Sequence, residues 1–125
     1  MSFIYTTALP FSVISAIQCG LEYIPRMDKE RQTLQENVKY FRSSLKNIGA
    51  KMLGNTHIIP IQVKSPDEAK ELSSYLKKMR YYALPIHYPT VPKGTDRVRF
   101  SLNLGHNKNV LKNVVEDLKC FYGNE

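Results

Sequence analysis

Arg97 and Arg99 stand two residues apart in the run Arg97-Val98-Arg99-Phe100-Ser101-Leu102. On a β-strand that spacing puts both guanidinium groups on one face, with Val98, Phe100 and Leu102 on the other. A guanidinium held on a strand offers a planar fork of donors that can grip a carboxylate through two hydrogen bonds, with more geometric definition than a lysine provides. Spacing alone leaves a second reading open, two solubilising arginines on a solvent-facing strand, and weights it more heavily. Upstream, Thr90 and the Gly94 turn lie in a stretch rich in Pro and Gly from His87 to Thr95. Among the histidines, His57 opens a strand and His106 precedes a helix. His87, at a strand-to-loop junction, is the one placed to meet a ligand, the alternative being a surface or packing role. None forms H-x-x-x-H or a Cys/His cluster, so zinc is not expected. Thr6 and Thr7 precede a helix whose first turn has free N–H groups at its positive dipole end, a combination suited to a phosphate, although threonine is also an ordinary N-cap. The glycine-rich phosphate loops and the G-x-S-x-G elbow do not occur, which leaves nucleotide binding and serine hydrolysis without support.

These residues need elements to hold them. Val13, Ile14, Ile17, Leu21 and Ile24 recur at helical spacing after Pro10, and Pro25 ends the pattern. A second helix is expected from about Asp28 to Ile48, with Leu34, Val38, Phe41, Leu45 and Ile48 on its apolar face and Glu36, Lys39, Arg42 and Lys46 on a solvated one. Gly49 is a natural stop. The texture then changes. His57 to Val63 reads as a strand with Ile59, Ile61 and Val63 on one face, and Pro60 assigns it to an edge or a bulge. Ser65-Pro66-Asp67-Glu68 predicts a helix start with Ser65 as N-cap and Glu68 completing a capping box, followed by an apolar stripe of Ala69, Leu72, Leu76 and Met79. Tyr81 to Ile86 and Arg97 to Leu102 read as two further strands. His106 or Asn107 caps a last helix carrying Leu111, Val114, Leu118 and Phe121. The expected fold class is therefore α+β: two N-terminal helices, then a small β-α-β-β-α sandwich with helices on one face of a three-stranded sheet.

The chain of 125 residues fits one ordinary domain. It contains no apolar run near the roughly 20 residues of a membrane span, and its start lacks a basic segment followed by an apolar one, so a secretory signal is not expected. Cys19 and Cys120 are far apart and suggest neither a disulfide framework nor a metal site, and a cytoplasmic location is the default. The net charge of +7 is compatible with a nucleic-acid partner. The basic residues are scattered over three segments, however, without a helix-turn-helix, zinc-finger or RNP pattern, so solvated helix faces account for them better.

Three segments taken together resemble the α-oxoamine synthases. Tyr5-Thr6-Thr7-Ala8-Leu9-Pro10 is similar to the family's Y/F-[ST]-T-[AS]-L-P-P segment, with Phe11 in place of the second proline. Thr56-His57-Ile58-Ile59-Pro60-Ile61 is similar to its S-H-I-x-P-I strand. Pro89-Thr90-Val91-Pro92-Lys93-Gly94-Thr95-Asp96-Arg97-Val98-Arg99 is similar to its P-T-V-P-x-G-T-x-R-[LV]-R run. Order and spacing agree over essentially the whole chain. The resemblance implies the C-terminal portion of a fold-type I pyridoxal-phosphate enzyme that condenses a small amino acid with an acyl thioester and releases carbon dioxide. It implies that Thr6 and Thr7 reach the cofactor phosphate across a dimer, that Arg99 holds the amino-acid carboxylate, and that Thr90 lines the substrate site, with His87 beside it. Ser101-Leu102 is closer to the oxononanoate synthases of biotin synthesis. His87-Tyr88-Pro89-Thr90 is closer to the aminolevulinate synthases, and a glycine C-acetyltransferase type stays open.

The same resemblance places the Schiff-base lysine, the aspartate that pairs with the pyridine nitrogen and the histidine that stacks on the ring upstream of Tyr5. On that basis no catalytic residue is assigned in this sequence. Residues 1–25 are expected to form a helix linking to an absent large domain, and residues 26–125 the small domain. Three expectations follow: a segment active only when an N-terminal chain complements it, or within a homodimer of the complete enzyme; a non-enzymatic module docking through its N-terminal helices; or, with least support, a basic nucleic-acid-binding domain.

Overall fold

The computed structural model describes residues 8–123, so Thr6 and Thr7 lie outside the described residues. The described chain falls into two compact units, one ending at Arg31 and the other beginning at Gln32.

The first unit is built on α1, Phe11–Tyr23, a 3₁₀ turn over Ile24–Arg26, and the opening of α2, Asp28–Asn47. Pro10 is the residue just before α1, and its carbonyl accepts the N–H groups of Val13 and Ile14. Pro25 at the start of the 3₁₀ turn tightens the chain where a further α-turn would need its missing N–H. None of the residues of α1 is buried, and Phe11, Ile14, Ile17 and Leu21 are all exposed.

In the second unit the expected order is realised. The strands are β1, Ile58–Gln62, β2, Leu84–Ile86, and β3, Arg97–Ser101, and the helices are α3, Pro66–Lys78, and α4, Lys108–Gly123. The sheet is antiparallel in the order β1-β3-β2, which places β3 at its centre. Helix α2 ends one residue before the expected Ile48 in a Schellman turn: Gly49 has φ +79°, its N–H reaches the Lys46 carbonyl and that of Ala50 reaches Leu45. Helix α3 ends the same way, with Arg80 at φ +66° in the glycine position, its N–H on the Lys77 carbonyl and that of Tyr81 on Leu76. At the start of α3, Ser65 Oγ accepts the Glu68 N–H at 3.1 Å. The Glu68 carboxylate reaches one residue further back than a capping box requires, accepting the Lys64 N–H at 2.6 Å. Of the two candidates for the α4 cap, Asn107 serves: its Oδ1 accepts from the Val110 N–H at 3.0 Å.

Strand alternation separates the two faces of the sheet. Ile59, Ile61, Val98 and Phe100 point into the core against Val38, Phe41 and Leu45 of α2, Leu72 and Leu76 of α3, and Leu111, Val114 and Leu118 of α4. Phe41 meets Phe100 edge-on at 5.7 Å between ring centroids. Both strand prolines are accommodated by ladder geometry. The Leu102 N–H bonds to His57 and that of Val63 to Asp96, so odd-numbered residues of β1 face β3 and Pro60 faces outward, where its carbonyl accepts the Leu53 N–H at 3.0 Å. By the same alternation the odd-numbered residues of β3 face β2, and Pro85 turns its missing N–H to the free edge.

Candidate functional site

The sheet face turned away from the core carries the two arginines. Pro60 and Leu84 flank Arg99 across the register, and Gln62 and Ile86 flank Arg97. The flanking side chains differ, and so does the engagement of the two guanidinium groups. Arg97 donates from Nε to the Thr95 carbonyl at 2.8 Å. Arg99 is half-buried and its Nε is wholly buried with no hydrogen-bond partner. A buried charged donor left unpaired is costly, so such a group points to a ligand that completes it. Pro60 and Leu84 create the condition, since neither side chain can accept a hydrogen bond. The sequence held that signal, a proline opposite an arginine, but only the register reveals it.

The β2–β3 hairpin closes at Ile86↔Arg97 and leaves residues 87–96 as the loop at the Arg97 end of the sheet. The loop is tied internally. The Thr90 N–H donates to the His87 carbonyl at 3.0 Å, Thr95 Oγ1 donates to the Pro92 carbonyl at 2.7 Å, and Gly94 takes φ +75°. Tyr88–Pro89 is cis, and Lys93 Nζ stands 5.2 Å from the centre of the Tyr88 ring. His87 Nδ1 lies 2.9 Å from the Tyr88 carbonyl; a carbonyl only accepts, so in the neutral ring the proton is on Nδ1 and Nε2 is free to accept. His87 and Thr90 are both exposed. The fold thus unites Arg97 with Arg99, and His87 with Thr90, and hangs the second pair at the strand end two residues from Arg99. His57 and His106 lie elsewhere. The carbonyl of the first pairs with Leu102 beyond the other end of β3, and that of the second accepts Asn37 Nδ2 at 3.0 Å. No metal-binding group of three or more His, Cys, Asp or Glu occurs among the described residues.

One basic residue of a helix face has a structural role as well. Arg42, expected on the solvated face of α2, donates to the Gly54 carbonyl at 2.9 Å and the Thr56 carbonyl at 3.0 Å, pinning the approach to β1. An arginine on a helix face looks the same in sequence whether it meets water or a neighbouring turn.

The chain belongs to the aminotransferase class I and II family, whose family model matches residues 1–118. Within that class it is 38% identical over 117 residues to a Bordetella pertussis protein named as an 8-amino-7-oxononanoate synthase, covering 93% of this chain and 30% of that protein. Two solved structures share the fold. One is the 8-amino-7-oxononanoate synthase of Francisella tularensis, with a TM-score of 0.82 and 23% identity over 97% of this chain and 36% of that one. The other is a variant serine palmitoyltransferase from S. paucimobilis with a bound PLP–myriocin aldimine, with a TM-score of 0.88 and 20% identity over 94% of this chain and 30% of that one. The chain therefore spans about a third of the length of these relatives. No helix among the described residues is long and apolar enough to cross a membrane.

Across the open face of the sheet stand Ile58, Pro60, Gln62, Leu84, Ile86, Arg97 and Ser101. Among these residues there is no lysine to bond a cofactor aldehyde and no acid to pair with a pyridine nitrogen. The face therefore does not fit pyridoxal phosphate itself, and the polar group it leaves unsatisfied is the Arg99 Nε.

Proposed function

We propose that this chain is the carboxylate-binding segment of a pyridoxal-phosphate-dependent acyltransferase resembling 8-amino-7-oxononanoate synthase, and that it is inert by itself. The observation that carries this reading is the buried, unpartnered Nε of Arg99 on the open face of the sheet. In the proposed whole enzyme alanine is condensed with a pimeloyl thioester and carbon dioxide is lost. Arg99 grips the alanine carboxylate with paired charge-assisted hydrogen bonds. Thr90 and His87, on the tethered loop, line the substrate entrance, and Thr6 and Thr7 contact the cofactor phosphate. Pyridoxal phosphate, when bound, supplies the electron sink for the reaction. The lysine that anchors it belongs to the part of the enzyme this chain does not contain. An aminolevulinate-synthase or glycine C-acetyltransferase specificity is the alternative for the same site, suggested by His87-Tyr88-Pro89-Thr90.

Two measurements test the proposal together. An absorbance titration of the chain with pyridoxal phosphate is expected to give no saturable Schiff-base band, and a stoichiometric band removed by substituting one lysine overturns the inert assignment. Mixing with the remaining two-thirds of a related synthase is expected to give turnover with alanine that disappears in Arg99→Met; turnover indifferent to that substitution overturns the role of Arg99.

A second reading has its own observation. The exposed Phe11, Ile14, Ile17 and Leu21 of α1 favour a module that docks on another polypeptide without catalysing anything. Binding to the complementary synthase region without any turnover separates this reading from the first.

A further inference from the structure

The strand expected over Tyr81 to Ile86 is only half made, and the missing half opens a cleft. The β2–β3 ladder stops at Leu84↔Arg99, so Tyr81, Tyr82 and Ala83 peel away from the end of β3. Between them and α4 lies a cleft of about 370 Å3, toward the lower end of the range of roughly 300–1,000 Å3 that holds small ligands. Phe41, Phe100, Leu111 and Val114 supply its apolar surface. Polar groups stand around that surface. Ladder alternation turns the Ser101 N–H toward the place where Tyr82 would have paired. His106 Nδ1 accepts the Asn103 N–H at 3.2 Å, so the neutral ring keeps its own proton on Nε2 as a donor. Arg80 completes the lining, and no aspartate or glutamate is among the lining residues.

Arg80 is also the one non-glycine residue with positive φ among the described residues, at +66°. Glycine adopts that conformation without the steric penalty an arginine incurs, and strained residues of this kind cluster at ligand sites. The turn therefore holds a cation at some conformational cost beside an apolar cleft that contains no counter-charge.

We propose that this cleft is a second binding site, separate from Arg99, for a small apolar carboxylate, aliphatic or aryl. Its hydrocarbon part lies on Phe41, Phe100 and Val114, and its carboxylate meets Arg80 and the donors of His106 and Ser101. The site is built from the core side of β3, whereas Arg99 projects from the opposite face, so the two can be occupied independently.

The test is an amide NMR titration of the chain with hexanoate and with phenylacetate, with hexylamine and hexanol as controls. Saturable shifts centred on Tyr82, Ser101 and Val110 are expected with the carboxylates, at least about tenfold tighter than with hexanol, a difference of about 1.4 kcal/mol, and absent with hexylamine. Arg80→Gly suits the turn better than the native residue and is expected to weaken carboxylate binding by about tenfold or more with the spectrum otherwise preserved. Val110→Phe, which fills the cleft without touching the charge, is expected to abolish the shifts. Arg99→Met is expected to leave them unchanged. Shifts that never saturate, that appear equally with hexylamine, or that vanish in Arg99→Met while surviving Arg80→Gly overturn the proposal.

Discussion

Replacing Arg99 by methionine is expected to stabilise the chain while destroying the proposed carboxylate site. Methionine retains an unbranched apolar side chain that fills the space of the arginine stem between Pro60 and Leu84, and it removes the Nε that is buried without a partner. An unsatisfied buried donor costs about 1–3 kcal/mol. Arg99 is only half-buried, so the lower end applies and a gain of about 1 kcal/mol is expected, which for a domain of this size raises Tm by about 4–8 °C. Arg97, two residues along the same face, is the internal control. Arg97→Met breaks the 2.8 Å bond to the Thr95 carbonyl and is expected to cost about 0.5–1.5 kcal/mol, lowering Tm by a few degrees. Differential scanning calorimetry on both variants gives the comparison directly. Opposite signs support the assignment of Arg99 as a receptor held open. A fall in Tm for Arg99→Met as large as that for Arg97→Met refutes it, because the guanidinium would then be making a native interaction.

Other outcomes follow from the same structure. Ser65→Ala removes the acceptor for the Glu68 N–H at the start of α3 and is expected to cost about 1 kcal/mol, read from urea unfolding midpoints at constant m. Leu72→Ala empties a fully buried site against the sheet and is expected to cost about 2–5 kcal/mol in the same assay. At Gly94, with φ +75°, an added Cβ meets no atom within 4 Å, so Gly94→Ala is expected to cost about 1–2 kcal/mol through the backbone alone and to loosen the loop bearing Thr90, seen as faster amide exchange there. The Tyr81 hydroxyl is held above the ordinary tyrosine value, first by burial and then by its hydrogen bond to Asp117, and Tyr75 is raised by burial and nearby Cys120 and Asp117. Their folded values exceed the unfolded one of 10.0, so this stability is fully present below that pH and is lost as pH rises through the folded values. Tyr81→Phe is expected to flatten the alkaline loss in a pH series of unfolding midpoints, and an unchanged slope refutes the coupling.

The two-unit division gives the exposed face of α1 a plain physical meaning. Thirteen residues with a single charge, Glu22, form a helix with nothing buried. A helix of that composition is normally covered, which agrees with a chain spanning about a third of its relatives' length.

Periodicity and end signals carried most of the fold. The stripes of α2, α3 and α4 are local patterns, and the caps at Ser65 and Gly49 act within one turn, so the sequence alone located these elements within a residue or two. The alternation in residues 97–102 likewise puts Arg97 and Arg99 on the face opposite Val98 and Phe100 whatever the pairing. What depended on contacts between distant segments was not legible. That Arg42 spends its donors on carbonyls of residues 54 and 56 follows from how α2 lies over the approach to β1. That Tyr81 to Ala83 leave the ladder follows from the Schellman turn at Arg80, which redirects the chain after α3 and lets pairing begin only at Leu84. Most consequential, the sequence offered Arg99 as either a ligand clamp or a solubilising residue. Only the tertiary structure showed that its Nε is buried without a partner, because the register brings Pro60 to one side and Leu84 to the other, and neither side chain can accept a hydrogen bond.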